Sequence, residues 1–297
     1  MKRIILTGAH GFVGKALQGF LESRGYQVEA LRSRSTGKAT MNEATGWIDR
    51  DFLENAFAVI HLAGEPIAQR WTAKTKNQIL ESRRQGTRLL AETLARLQNP
   101  PSVFVSMSGI NRYGYHRPNE ILTETSPTST AGFLGEVSSA WEDSTQPAHQ
   151  SGIRTVNVRT GVVLAASGGA LKTMLPAFKL GLGGRIGSGK QMMSWIRLGD
   201  LVRLIGWIVE TPQCQGPINA VSPQPVTQFK FAQILAKRLH RPSFCPTPSW
   251  AVKLALGQMA EETLLADLAV LPEAATASGF VFETPSIESA LPRALQE

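Results

Sequence analysis

The sequence predicts an α/β fold, a doubly wound parallel sheet followed by a small C-terminal cap. Three observations carry that expectation. Strand-like and helix-like segments alternate as far as Arg159, a glycine-rich turn joins the first strand to the first helix, and the rhythm breaks beyond Gly161. Alternation of this kind packs helices on both faces of a parallel sheet.

Taken in order, Arg3 to Thr7 is a short β-forming run. Val13 to Ser23 then places Val13, Leu17, Phe20 and Leu21 on one helical face. Gly25 stops that helix, and Gln27 to Leu31 reads as a second strand. Ala58 to Ala63 is a buried strand, and a helical pattern from about Ala73 to Leu97 ends at Asn99-Pro100-Pro101. Val103 to Met107 is a strand, Leu134 to Gln146 a helix, and Thr155 to Arg159 a strand. Past the break, a glycine-rich segment from Gly181 to Gly189 precedes helices from about Asp200 to Glu210 and from about Phe229 to Leu239. The tail from Arg241 is punctuated by prolines, among them Pro242, Pro246, Pro248 and Pro272, and reads as a cap. The expected division is a nucleotide-binding domain over 1–240 and a C-terminal domain over 241–297.

Composition narrows the classes. Of 297 residues, 42% are hydrophobic and 18% charged, a balance that argues against disorder. The longest apolar runs fall far short of the ~20 residues that span a bilayer. No signal peptide is legible behind Met1, Lys2 and Arg3, and Cys214 and Cys245 cannot build a disulfide framework. A cytoplasmic protein without a membrane partner is expected, as a monomer or homodimer. The net charge of +8 is scattered and not interleaved with aromatic residues, so nucleic acid is not the expected partner. Positive charge suits an anionic cofactor or substrate equally well.

The strongest local signal is Thr7-Gly8-Ala9-His10-Gly11-Phe12-Val13-Gly14, directly after the first strand and opening the first helix. Gly8 permits a tight turn, Gly11 lets the backbone approach a pyrophosphate, and Gly14 allows close packing of helix on sheet. His10 falls beside the pyrophosphate without a catalytic role. At the end of the second strand, dinucleotide sites that select NAD place a carboxylate, about 20 residues on. Here Leu31-Arg32-Ser33-Arg34-Ser35 stands instead. Arg32 and Arg34 suit a 2′-phosphate that a carboxylate would repel, so NADP(H) is the expected cofactor.

The Gly-x-x-Gly-x-x-Gly spacing with its preceding Thr resembles the short-chain dehydrogenase/reductase pattern on a Rossmann-type domain. Ala58-Val-Ile-His-Leu-Ala-Gly-Glu-Pro-Ile67 is similar to the strand-four motif of the extended members of that superfamily. The resemblance implies that Leu62, Ala63, Gly64 and Glu65 pass near the adenosine ribose. Ser82 to Thr87, Arg159 to Leu164, Leu180 to Gly189, Met193 to Ile196 and Gly216 to Asn219 continue the match. Together they resemble the epimerase-family proteins labelled nucleoside-diphosphate-sugar epimerases, whose short C-terminal domain is matched by Ala255 to Glu262 and Val270 to Glu273.

That resemblance implies a Tyr activated by a Lys four residues on, with a strand-five Ser bonding the same substrate oxygen. The Lys charge lowers the Tyr pKa, so the phenol can exchange a proton near neutrality. Ser108 matches the Ser position, a strand-end turn cap being its other reading. The dyad itself is missing: Phe133 or Leu134 stands at the Tyr position, and Val137 or Ser138 at the Lys position. Among Tyr26, Tyr113 and Tyr115, Tyr113 is the candidate acid because it follows the strand Val103 to Met107, with Glu136 as the substitute. Two readings follow: an oxidoreductase or epimerase-like enzyme with a non-standard acid/base, or a catalytically silent NADP(H) sensor. Gly184 to Lys190 meets the glycine and lysine positions of a nucleotide-triphosphate loop, but Gln191 replaces its Ser/Thr. A substrate-facing loop offering Arg185, Lys190 and Gln191 is the better reading. His10, His61, His116, His149 and His240 show no metal spacing.

Overall fold

A computed structural model describes residues 1–32, 41–42 and 45–297. Its centre is a six-stranded sheet ordered Gly216–Ala220, Arg154–Thr160, Val103–Gly109, Ala58–His61, Arg3–Thr7, Gln27–Leu31. The strand Arg3–Thr7 pairs in parallel with Gln27–Leu31 on one side and with Ala58–His61 on the other. Strand order therefore reverses at Arg3–Thr7, and ligands bind at such a reversal, beyond the carboxyl ends of the strands.

The chain forms two compact units. The first takes Met1–Ser108, Val137–Arg159 and Val202–Ile218, and so holds most of the sheet. Ile5, Val59 and Phe104 face one another in register across three neighbouring strands, each with no exposed surface. Leu90 and Leu94 of the helix Ala73–Leu94 close over that row. Each such side chain contributes about 1.5–3 kcal/mol by leaving water. Thr72 starts that helix by accepting the amide of Thr75 at 3.2 Å. In the helix Phe12–Ser23, Leu17 and Leu21 are buried as their spacing predicts. Phe20 instead packs against Gly206, where a β-carbon would lie 2.7 Å from its ring.

The second unit takes Gly109–Glu136, Thr160–Leu201 and Asn219–Glu297. Strand Asp267–Val270 pairs in parallel with His116–Leu122, and Val162–Ala165 with Trp195–Arg197. The C-terminal helix Ile287–Ala294 buries Ile287, Ala290, Leu291 and Ala294 in one core with Phe231, Leu235, Leu171 and Leu175. Helix Gly169–Lys179, which supplies Leu171 and Leu175, and strand His116–Leu122 were not anticipated. The strand buries only Leu122, so it shows no alternation to read. Among the described residues, no helix is long and apolar enough to cross a membrane.

Candidate dinucleotide site

Register alone gathers the sheet edge. Leu31, Thr7, His61 and Ser106 lie side by side across four strands. The next residues outward are therefore Arg32, Gly8, Leu62 and Met107, at the edge where strand order reverses.

Thr7 is the hub of that edge. Its Oγ1 accepts the amides of Leu62 at 3.1 Å and Ala63 at 3.2 Å, and lies 2.7 Å from His61 Nδ1. With two amides donating to its oxygen, the hydroxyl donates its own proton to Nδ1, which leaves the imidazole proton on Nε2. His61 is 1% exposed, and its Nε2 has no hydrogen-bond partner. Burial, with the charge of Arg83, pushes its pKa down to about 4. The ring is therefore neutral near pH 7.

Gly8 adopts φ +70°, and a β-carbon there would meet the backbone of Leu62 and Ala63 at 3.0 Å. The Gly11 amide donates to Gly8 O at 2.9 Å. At Gly14 a β-carbon would lie 2.1 Å from that same carbonyl oxygen. The helix Phe12–Ser23 thus starts hard against the turn. Gly11 caps it without a side-chain hydrogen bond, and its first turn carries no acidic residue. His10 and Gly11 are exposed, Phe12 and Val13 half-buried. The amides of Phe12, Val13 and Gly14 are the orphan donors of a helix start, aligned with the positive end of its dipole.

The loop after Ala58–His61 is held from below by the helix Ala73–Leu94. Arg83 is buried and donates Nη1 to Glu65 O at 2.9 Å and to Ile79 O at 3.1 Å. Its guanidinium lies 4.7 Å from the centre of the Trp141 ring, and a β-carbon on Gly64 would come within 3.0 Å of Cζ. Ser82 Oγ accepts the Glu65 amide at 3.0 Å. Burial lowers the Arg83 pKa to about 10, which still leaves it charged at neutral pH. The structure thus brings Thr7, Gly8, Leu62 and Ala63 into contact and fixes Gly64 and Glu65 beside them. Arg32 is exposed at the same edge. Arg34 lies outside the described residues.

The predicted catalytic hydroxyls are placed differently. Ser108 is 4% exposed and donates to Glu142 Oε1 at 2.9 Å. Glu142 in turn receives Arg159 through Nε and Nη2, both at 2.8 Å, in a buried bidentate pair. The Ser108 proton is therefore directed at a carboxylate. Tyr113, the candidate acid, lies inside the second unit. It has no exposed surface, packs with Ile110, Leu122, Val221, Leu268 and Val270, and donates its hydroxyl to Asn219 Oδ1 at 2.8 Å. It is a core residue of the second unit, its polar tip satisfied inside. Phe133 and Leu134 are buried, and their amides donate to the Glu262 carboxylate at 2.8 and 2.7 Å. A buried carboxylate thus caps the helix that carries the Tyr position. Glu136 is exposed. Gln191, expected to face a ligand, is buried and donates to Ile186 O and Leu264 O.

Sequence reasoning missed His61, Glu142, Arg159, Asn219 and Glu262 as polar anchors. None of them left a trace that locates its partner: Arg159 shares its strand with Arg154, Thr155, Asn157 and Thr160, and Glu142 its helix with Glu136, Ser138, Ser139 and Asp143.

Comparison with known proteins agrees with this geometry. Residues 4–220 match the NAD dependent epimerase/dehydratase family, and residues 247–294 match a domain of unknown function, DUF1731. Epimerase family protein Mb2239 of Mycobacterium bovis is 35% identical over 292 residues, covering 97% of this chain and 96% of its own. Mouse epimerase family protein SDR39U1 is 34% identical over 296 residues, covering 97% and 98%. The crystal structure of human SDR39U1 (isoform 2) with NADPH superposes with a TM-score of 0.91 at 32% identity, over 99% of both chains. Strand reversal, glycine loop and whole-length similarity agree, and the chain belongs to the NAD dependent epimerase/dehydratase family.

Proposed function

We propose that the chain binds NADP(H) on the glycine loop and acts as an oxidoreductase or epimerase-like enzyme whose acid/base is not the tyrosine of the superfamily dyad. The loop carries this reading. Its glycines stand where β-carbons would crowd backbone atoms, and it opens a helix with neither side-chain cap nor early acid. The amides of Phe12, Val13 and Gly14 would hold the pyrophosphate. Arg32, in the place of a carboxylate, would pair with the 2′-phosphate. The NADPH held by human SDR39U1 supports the same assignment.

When bound, the nicotinamide supplies or accepts hydride. The chain's own contribution is orientation. Ser108, its proton given to Glu142, offers lone pairs that accept from a substrate hydroxyl, and Arg159 holds Glu142 by two parallel bonds. A second reading, a silent NADP(H) sensor, is favoured by the buried Tyr113 and by the apolar Phe133 and Leu134 at the dyad's Tyr position.

The test is a titration with NADPH and NADH followed by nicotinamide fluorescence, then a panel of carbonyls and alcohols watched at the nicotinamide absorbance. Tight NADPH binding with turnover establishes the enzyme. Tight binding without turnover on the whole panel leaves the sensor, and no binding refutes both. Arg32→Asp is expected to weaken NADPH by roughly 10- to 100-fold while sparing NADH. Unchanged preference would assign the phosphate to another residue.

A further inference from the structure

The net charge is unevenly distributed. Residues 160–199 and 219–260, all in the second unit, contain ten Lys and Arg and no Asp or Glu. The rest of the second unit, residues 109–136, 200–201 and 261–297, sums to −8, so the positive charge is a matter of these two stretches and not of the unit as a whole. Part of the excess is compensated: Arg197 is buried against Glu283 and Glu297, Lys230 pairs with Glu288, and Lys253 with Glu261. Lys179, Arg185, Lys190 and Arg241 remain exposed.

The same stretches expose large apolar side chains. Leu180 is 74% exposed, Leu182 58%, Phe244 83%, Trp250 68% and Leu254 82%. They lie on adjoining segments. Gly184 bridges to Phe244 and Ile186 to Thr247, so the loop after Lys179 runs beside the segment after Arg241. Arg241 Nε donates to Lys179 O at 2.8 Å, and Gly181 lies against Pro242. Trp250 and Leu254, four apart on the helix Ser249–Leu256, share one face, and that helix buries only Val252. Isolated exposed apolar residues need no explanation, but a cluster rimmed by cations does.

We propose that this face of the second unit docks on the surface of an anionic phospholipid bilayer, with Leu180, Leu182, Phe244, Trp250 and Leu254 entering the interface. The charge selects the occupant. A second copy meeting this face symmetrically would set cation against cation. Nucleic acid would satisfy the charge and stack on Trp250 and Phe244, but gives three exposed leucines nothing to enter. An anionic lipid surface satisfies both: each Lys or Arg near it adds about 1 kcal/mol, and apolar tips gain by burial at the headgroup boundary. No spanning helix is needed, so the expectation of no membrane partner, which rested on apolar run length, does not bear on this mode.

The test is co-sedimentation of the full chain with phosphatidylcholine vesicles, with and without phosphatidylglycerol. Binding is expected only with the anionic lipid and is expected to fall as salt rises. W250A/L254S and R185E/K190E should each weaken it at least about tenfold while melting like the parent. Cys245 is exposed and Cys214 buried, so a polarity-sensitive dye on Cys245 should shift to the blue on vesicles. The proposal fails if anionic vesicles are not bound, or if W250A/L254S binds them undiminished. It also fails if the substitutions change only self-association in sedimentation, or if DNA or polyglutamate binds as tightly with no dependence on Trp250 and Leu254.

Discussion

A β-carbon at position 14 would lie 2.1 Å from the Gly8 carbonyl oxygen, whereas one at position 11 would lie 3.2 Å from the same atom. In an ordinary helix Gly→Ala stabilises by about 0.5–1 kcal/mol. Here Gly14→Ala is expected to do the opposite, lowering the melting temperature by several degrees and loosening NADPH. Gly11 has φ −72° and ψ 172°, open to any residue, so Gly11→Ala should melt close to the parent and act mainly on nucleotide affinity. Thermal melts and NADPH titrations of the two variants decide it; equal melting temperatures would mean the turn relaxes around Gly14. His61 adds a pH dependence. Its folded pKa, about 4, lies below the ordinary 6.5, so the unfolded chain takes up the proton first as pH falls. Stability from this residue is intact above about pH 6.5 and is lost progressively toward pH 4, on the order of 3 kcal/mol in all. His61→Asn keeps an acceptor for the Thr7 hydroxyl and should flatten the melting temperature between pH 7 and 4.5, relative to the parent.

At the scale of elements, the pair Glu142–Arg159 ties the end of the helix Phe133–Asp143 to the strand Arg154–Thr160, with Ser108 added from a third element. Removing one partner leaves a buried charge, so Arg159→Met alone should cost about 3–5 kcal/mol in urea unfolding. Adding Glu142→Leu should restore much of that, because no charge is then stranded; a double variant as unstable as the single would deny that the pair is what matters. Ser108→Ala removes a single donor to a charged acceptor, about 1.5–3 kcal/mol. If Ser108 receives a substrate hydroxyl, the same variant should reduce turnover far more than its stability loss explains. These elements were legible because their periodicities are local: Leu17 and Leu21 mark one helix face, and the apolar run at Ala58 marks a central strand. Strand His116–Leu122 was not, since a strand that buries one side chain leaves no pattern.

Over the whole molecule, the segment after residue 240 is woven into the second unit. It supplies the strand paired with His116–Leu122, the Glu262 carboxylate under Phe133 and Leu134, and the helix Ile287–Ala294 in the core. A chain cut to residues 1–240 is therefore expected to lose cooperative melting and to be digested rapidly within 109–136 and 160–201. Native-like melting of that fragment would show that the tail is an independent piece.

By itself the sequence determined what depends on neighbours along the chain. The strand–helix alternation, the glycine turn at a helix start, the missing carboxylate after the second strand and the missing Tyr–Lys dyad are all local in character. Tertiary structure decided which polar groups are spent on the fold. Tyr113 meets Asn219 across 106 residues, and Phe133 meets Glu262 across 129. A hydroxyl or carboxylate looks the same in sequence whether it awaits a substrate or satisfies a buried partner. Burial makes the difference, because an unpaired polar group inside costs more than a hydrogen bond returns, so the fold must supply a partner from wherever the chain passes.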